Sequence, residues 1–266
     1  SSSEPNLQNI PIRTALGAEV RTAFVAEHKH VLLSADYSQI QLRLAAHISG
    51  DRAMRAAFRA GKDIHAETAA FAFRVPLGKV TPAQRLVAKT LNFGVLYGMG
   101  PWAFARAAGI SLADAQRFID EYMRTYRGIA QYMEEAKAAA ATQGYVETLT
   151  GRRRYLPEIS SRNPQIRGEA ERMAINHPIQ GGEADIMKKA MIQIYRALER
   201  GQGPFRGVRM ILQVHDGLVF EVPKAAATAV GRAVREIMEG IEKLSVPLVA
   251  EVSAGRSWGE LRELRA

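Results

Sequence analysis

Apolar residues follow two different rhythms along this chain, and the rhythms mark its elements. In "HVLLSADYS" (His30 to Ser38) they are nearly continuous, which predicts a buried strand ending at Asp36. Immediately afterwards Ile40, Leu44 and Ile48 recur at i, i+4 and i+8. Gln39 to Ser49 is therefore predicted to be a helix, with Ser38-Gln39-Ile40-Gln41 as a capping box at its start. Helical spacing dominates from about Asp51 to Gln143, broken at Gly61, Pro76, Pro82, Gly98 to Pro101 and Gly109. "AKAAAATQG" is an Ala-rich helix closed by Gly144, and Glu169 to Met173 and Ala184 to Leu198 read as two further helices around "NHPIQGG". In "MILQVHDGLVFEV" (Met210 to Val222) two apolar, partly β-branched runs flank an Asp-Gly pair, the signal of a hairpin. A helix near Ala225 to Leu244 and a last strand, "VPLVAEVSAG", follow. The first 25 residues, polar and turn-rich with Pro5 and Pro11, read as an extended lead-in leaning on a larger body. Strands at both ends of a helical middle predict an α+β fold: an antiparallel sheet with helices, plus an inserted, mostly α-helical subdomain.

The 266 residues suffice for one large domain or two modest ones. No apolar run is long enough to span a bilayer, and no secretory leader opens the chain, so a cytoplasmic protein without a membrane partner is expected. The absence of cysteine rules out disulfides, thiolate zinc sites and cysteine nucleophiles. A formal charge of +9 favours a polyanionic partner.

Two carboxylates stand at strand ends in this reading, Asp36 and Asp216. Asp216 is open to two explanations. Asp-Gly makes a tight turn, because Gly accepts positive φ and Asp tolerates it. Carboxylates on adjacent strands also hold hard divalent cations: Mg²⁺ takes one or two carboxylates plus substrate phosphates, and two such ions stabilise both the attacking and leaving oxygens of phosphoryl transfer. In "RLVAKTLNFGVLYG", Arg85, Lys89, Phe93 and Tyr97 recur every four residues, a slowly drifting stripe with about 6 Å between members. Two cations followed by two aromatics suit a nucleoside triphosphate, the cations meeting phosphates and the aromatics sugar and base. A helix with a basic start and a buried aromatic end gives the same pattern.

Taken in order and spacing, "DYSQIQLR", "RLVAKTLNFGVLYG" and "QVHDGLVFEV" resemble motifs A, B and C of the family A DNA polymerases, the bacterial DNA polymerase I type. "SSSEPNLQNIP", "DIHAETA", "GYVETLTGRRRYLP" and "ERMAINHPIQGGEADIMK" resemble that family too, so the likeness covers essentially the whole chain. It implies a palm formed by residues 1–39 and 167–266 and fingers formed by 40–166. The activity implied is template-directed addition of deoxynucleotides to a primer 3′-hydroxyl, in replication and repair, by a monomer using two Mg²⁺ ions, with Mn²⁺ as a substitute. The partners implied are primer-template DNA and deoxynucleoside triphosphates.

Residue by residue, Asp36 and Asp216 would be the metal ligands, with the backbone carbonyl of Tyr37 completing a shell. Arg85 and Lys89 would hold the triphosphate, Lys89 taking part in catalysis. Phe93 would lie beside the sugar, Tyr97 near the nascent base pair, and His65 and Gln39 near the phosphates. Arg172, Asn176, Gln180 and His215 would contact primer or template near the minor groove, and Asn6, Gln8 and Asn9 the template backbone.

Three departures matter. The family carries Glu where Gln41 stands, under the incoming sugar, where its bulk helps exclude a 2′-hydroxyl. Motif C usually reads His-Asp-Glu, whereas this chain has Gly217, which could loosen the turn and re-aim Asp216. The family's thumb and upstream nuclease-type domain precede "SSS", so the chain reads as palm and fingers alone. Two rival expectations stand beside the polymerase: a weak or inactive DNA-binding palm-fingers module, and another two-metal enzyme such as a nuclease or nucleotide cyclase. The Arg85–Tyr97 stripe disfavours a nuclease, which has no triphosphate to grip.

Overall fold

The structure, a computed structural model, describes residues 6–10, 15–201 and 203–264. The Ser1–Pro5 part of "SSSEPNLQNIP", and Pro11, lie outside the described residues. In chain order the elements are α1 (Ala15–Thr22), β1 (His30–Tyr37), α2 (Ile40–Ser49), α3 (Arg52–Arg59), α4 (Ile64–Phe73), α5 (Pro82–Leu96), α6 (Pro101–Ala108), α7 (Leu112–Thr125), α8 (Arg127–Gln143), β2 (Tyr145–Glu147), β3 (Arg153–Tyr155), α9 (Pro164–Arg200), β4 (Arg209–Val214), β5 (Gly217–Pro223), α10 (Ala227–Gly240), β6 (Ala250–Gly255) and β7 (Arg262–Glu263). The fold is α+β, with a five-stranded antiparallel sheet in the order β4-β5-β1-β6-β7.

The chain divides into two compact units. One comprises residues 1–40, 184–243 and 248–266 and holds the five-stranded sheet. Its central strand β1 is buried from Leu32 to Ala35 because β5 and β6 pair with its two edges and α10 packs against it. The other comprises 41–183 and 244–247, with α3 to α8, most of α2, the β2–β3 hairpin and the first half of α9. Among the described residues no helix is long and apolar enough to cross a membrane.

Several helix breaks are helix starts. Pro82 and Pro101 sit at the first turns of α5 and α6, where the missing N–H costs nothing, and Thr81 with Gln84 closes a capping box on α5. α8 ends at Gly144 in the left-handed region.

The structure differs from the sequence reading in five places. The lead-in is not simply extended: it contains a 3₁₀ turn, Leu7–Asn9, and α1. β1 runs one residue past Asp36, because the N–H of Tyr37 donates to Asp216 O. At Ser38 the N–H that a capping box would direct to Gln41 donates to Val249 O, and the Gln41 amide is engaged by Tyr97 and Glu183. The two helices around "NHPIQGG" are one 37-residue helix, α9, with Pro178 inside it. There the glycines serve close packing, not breakage: a Cβ on Gly181 would lie 2.5 Å from Thr148 Cγ2. Finally, the hairpin loop is His215-Asp216, with positive φ on His215 (52°), while Gly217 is already the first residue of β5, paired with Val214.

Candidate active site

In the sheet unit the two aspartates lie on neighbouring strands. Asp36 pairs in register with Gly217 on β5 and with Glu251 on β6, and Asp216 immediately precedes Gly217. Asp36 is the one exposed position in a run of buried ones, yet the protein mass around its carboxyl group raises its pKa. Burial is the largest cause; the Ser34 hydroxyl, which donates to Oδ2 at 2.7 Å, works against it, and the charges of Asp216 and Glu251 add to it. Burial raises the Asp216 pKa as well. Among the described residues no three acidic or histidine side chains cluster to hold a metal, and Asp36 and Asp216 are a pair of carboxylates whose charges act on each other. An all-oxygen set of two carboxylates and nearby backbone suits Mg²⁺, which completes its shell with water and substrate. The side chain of Tyr37 points inward, its hydroxyl donating to Met238 O.

The same unit ties Gln8 to the turn. Gln8 Nε2 donates to Gln213, whose own Nε2 donates to His215 O at 2.7 Å. Asn9 is the last residue of that 3₁₀ turn and Asn6 its N-cap, which makes no side-chain cap bond to it. Gln39, at φ 55°, keeps a buried Oε1 without a hydrogen-bond partner.

In the helical unit α5 carries the stripe as the spacing requires, with Tyr97 as its C-cap residue. Arg85 and Lys89 are exposed. Arg85 Nε donates to Asp63 Oδ2 at 2.5 Å, and Asp63 Oδ1 caps α4 by accepting from the N–H groups of His65 and Ala66. Burial opposes ionisation of Asp63, but these bonds together hold its pKa below the ordinary value. His65 is buried, its ring 5.8 Å from that of Phe93. Its pKa is lowered to about 4, first by burial and then by Arg85 and Lys89, with Asp63 opposing. The Thr68 hydroxyl lies 2.8 Å from Ile64 O and 3.0 Å from Asn92 Oδ1, and the Asn92 amide nitrogen lies 2.8 Å from His65 Nδ1. With the amide nitrogen donating, Nδ1 accepts and the ring proton sits on Nε2.

Tyr97 is a hub. Its hydroxyl donates to Gln41 Oε1, Gln180 reaches the same hydroxyl, and Gln41 Nε2 donates to Glu183 Oε2 at 2.7 Å. Arg172, Asn176 and Gln180 recur every four residues on α9. The stem of Arg172 lies across Gly98, and Asn176 keeps a buried Oδ1 without a partner.

Sequence reasoning missed Ser34, Asp63, Asn92 and Glu183. Asp63 had a signal, since an Asp directly before a helical run is an N-cap candidate. The others act through contacts with no local mark.

Comparison with known proteins places these motifs. The profile of DNA polymerase family A matches residues 1–260. The chain is 48% identical over 263 residues to a thermostable DNA polymerase I of Thermus aquaticus, covering 99% of this chain and 31% of that protein. It is 50% identical over 260 residues to DNA polymerase I of Pseudomonas aeruginosa, covering 98% and 28%. The POL domain of Pol1 from M. smegmatis, solved in complex with DNA primer-template and dNTP, superposes with a TM-score of 0.92 at 43% identity, covering 97% of this chain and 45% of that one. The chain thus spans about three-tenths of the length of these relatives, 31% and 28%. Family match, relatives and fold agree with the motifs built up above: the chain belongs to DNA polymerase family A.

Proposed function

We propose that this chain is the nucleotidyl-transfer core of a template-directed DNA polymerase, acting as a monomer in the cytoplasm in replication and repair. Residues 1–39 and 167–266 serve as palm and residues 40–166 as fingers. The observation that carries the reading is the placement of Asp36 and Asp216 at one end of adjacent strands, β1 and the β4–β5 turn. A family relative solved with DNA primer-template and dNTP supports these partners.

Asp36, Asp216 and the Tyr37 carbonyl would hold Mg²⁺, or Mn²⁺ in its place, whose charge lowers the cost of the developing oxyanions. Arg85 and Lys89 neutralise the triphosphate. His65, neutral at physiological pH, donates an Nε2 hydrogen bond to a phosphate oxygen without adding a third full charge. Phe93 and Tyr97 flank sugar and base, and Gln41 stands against a 2′-hydroxyl. Asn6, Gln8, Asn9, Arg172, Asn176, Gln180 and His215 take the DNA, and Gln39 with its free acceptor takes the nucleotide side. Most of the rate enhancement then comes from positioning and charge neutralisation.

The deciding experiment is primer extension on a DNA template with Mg²⁺ and with Mn²⁺, comparing the parent with Asp216→Ala. The parent extends; Asp216→Ala binds DNA but does not extend. Extension by Asp216→Ala at the parent rate refutes the assignment. A second reading, a DNA-binding module with weak or no chemistry, is favoured by Gly217, over which the Asp36 carboxylate lies. Duplex binding without extension in either metal would select it.

A further inference from the structure

Gln41 is held at both ends of its amide. Oε1 accepts from the Tyr97 hydroxyl, and Nε2 donates to Glu183 Oε2 at 2.7 Å. Only an amide satisfies both neighbours, because it offers an acceptor to the phenol and a donor to the carboxylate. A Glu at position 41 would still take the Tyr97 proton. It would then face the Glu183 carboxylate with no hydrogen between them, and two ionised carboxylates at that distance repel. The two positions are therefore chemically matched. The charge missing at 41, relative to the family pattern, is present one hydrogen bond away at 183.

The partner is well placed to be a fixed support. Glu183 lies on α9, where a Cβ on the adjacent Gly182 would touch Leu44 of α2 at 3.7 Å, so the two helices lie side by side. One turn earlier on α9, Gln180 reaches the Tyr97 hydroxyl, and the Glu183 charge is felt at that phenol. α9 thus braces the Gln41–Tyr97 pair from two positions, 180 and 183. An unbraced Gln would be free to swing its amide and turn it over.

We propose that Glu183 is a specificity-determining positioning residue of the nucleotide site: it locks Gln41 in the rotamer that bars a ribose 2′-hydroxyl. The inference rests on the polymerase reading above. It assigns sugar selection to a pair, Gln41 with Glu183, and not to the bulk of residue 41 alone.

The test compares kcat/KM for a deoxynucleotide and the matching ribonucleotide in primer extension, in the parent, Glu183→Ala, Gln41→Glu and the exchange variant Gln41→Glu/Glu183→Gln. Thermal melts confirm that each variant is folded. Glu183→Ala should lower the deoxy-to-ribo ratio about tenfold, the scale of losing one charge-assisted hydrogen bond. Gln41→Glu alone should also lower it, and the exchange variant should restore it, because the donor and carboxylate have only traded places. A merely structural role for Glu183 would not be rescued by the exchange. A parental ratio in Glu183→Ala, or no recovery in the exchange variant, overturns the proposal while leaving the polymerase reading intact. A parent that extends primers with neither sugar refutes the reading itself, and this proposal with it.

Discussion

Asp36 and Gly217 face each other across the β1–β5 ladder, and the aspartate uses the room that the glycine leaves. A Cβ built on Gly217 would overlap Oδ1 of Asp36 and lie 2.8 Å from its Cγ. The carboxylate rests in that space with Oδ2 accepting from Ser34. The family pattern has Glu at this position, so a Glu-bearing chain cannot use this rotamer. On the proposed reading, Gly217 would give Asp36 an additional resting state that competes with metal binding. Gly217→Ala removes it. Apparent affinity scales with the population of the competent state, so the Mg²⁺ needed for half-maximal extension should fall, by up to about tenfold for one charged hydrogen bond displaced. Direct Mn²⁺ titration followed by electron paramagnetic resonance should show the same shift. Unchanged metal affinity in Gly217→Ala would show that the two rotamers bind metal equally.

On the proposed reading, Asp63 would compete with the nucleotide for Arg85, to which it is paired. The pair is partly solvent-exposed, 45% and 39% for the two side chains, so its strength is that of a surface ion pair, roughly 0.2–1 kcal/mol. Asp63→Asn keeps an N-cap oxygen for α4 but gives up the charge. Deoxynucleoside triphosphate binding should tighten about two- to fivefold, as read by the KM of extension. Weaker binding in Asp63→Asn would mean that the carboxylate orients Arg85 productively instead of restraining it.

Part of this was legible in the sequence. The strand at His30, the helices from Asp51 onward and the hairpin follow from periodicity, because burial of one face imposes a period of 2 or 3.6. Motif spacing pointed to Asp36, Asp216 and the α5 stripe. What stayed hidden depends on register and tertiary contact. The pairing that sets Asp36 opposite Gly217 and Glu251 is a property of the whole sheet. Gln41 and Glu183 are 142 residues apart. The continuity of α9 was hidden because Pro178 and the Gly181-Gly182 pair carry breaker signals that packing overrides. The assignment of positive φ to His215 reversed the ordinary Asp-Gly expectation for the turn.

Buried His65 carries a prediction about acid stability. Its folded pKa of about 4 lies below the ordinary value of 6.5. Between those values the unfolded chain binds a proton that the folded chain does not. Stability from this group is therefore full above about pH 6.5 and lost as pH falls toward 4, by at most about 3 kcal/mol. The groups acting on the ring are Arg85, Lys89 and Asp63, with Asn92 on Nδ1. His65→Gln keeps an acceptor for Asn92 and cannot titrate. Its melting temperature should fall less than the parent's between pH 6.5 and 4. Parallel curves for the two proteins would remove His65 from the acid response.

The packing of α9 on the turn after β2 gives a prediction independent of any activity. Ala is a better helix former than Gly by about 0.8–1 kcal/mol, so Gly181→Ala would stabilise an isolated helix. Here the added Cβ would lie 2.5 Å from Thr148 Cγ2, inside contact distance. Thr148 cannot easily yield, because its Oγ1 accepts from the N–H of Arg152 at 3.2 Å and sits 3.1 Å from Thr150 Oγ1. Overpacking of this kind costs typically 1–3 kcal/mol, which outweighs the propensity gain. Gly181→Ala should therefore melt lower, by roughly 2–4 °C per kcal/mol of net loss. Thr148→Ser deletes the methyl group and keeps the hydroxyl with its bonds. In that background the main clash is gone and the added Cβ meets only the His177 ring, 3.3 Å from Cε1, so Gly181→Ala should lower the melting temperature less than it does in the parent. If Gly181→Ala lowers the melting temperature equally in both backgrounds, the glycine is needed for some reason other than the methyl of Thr148.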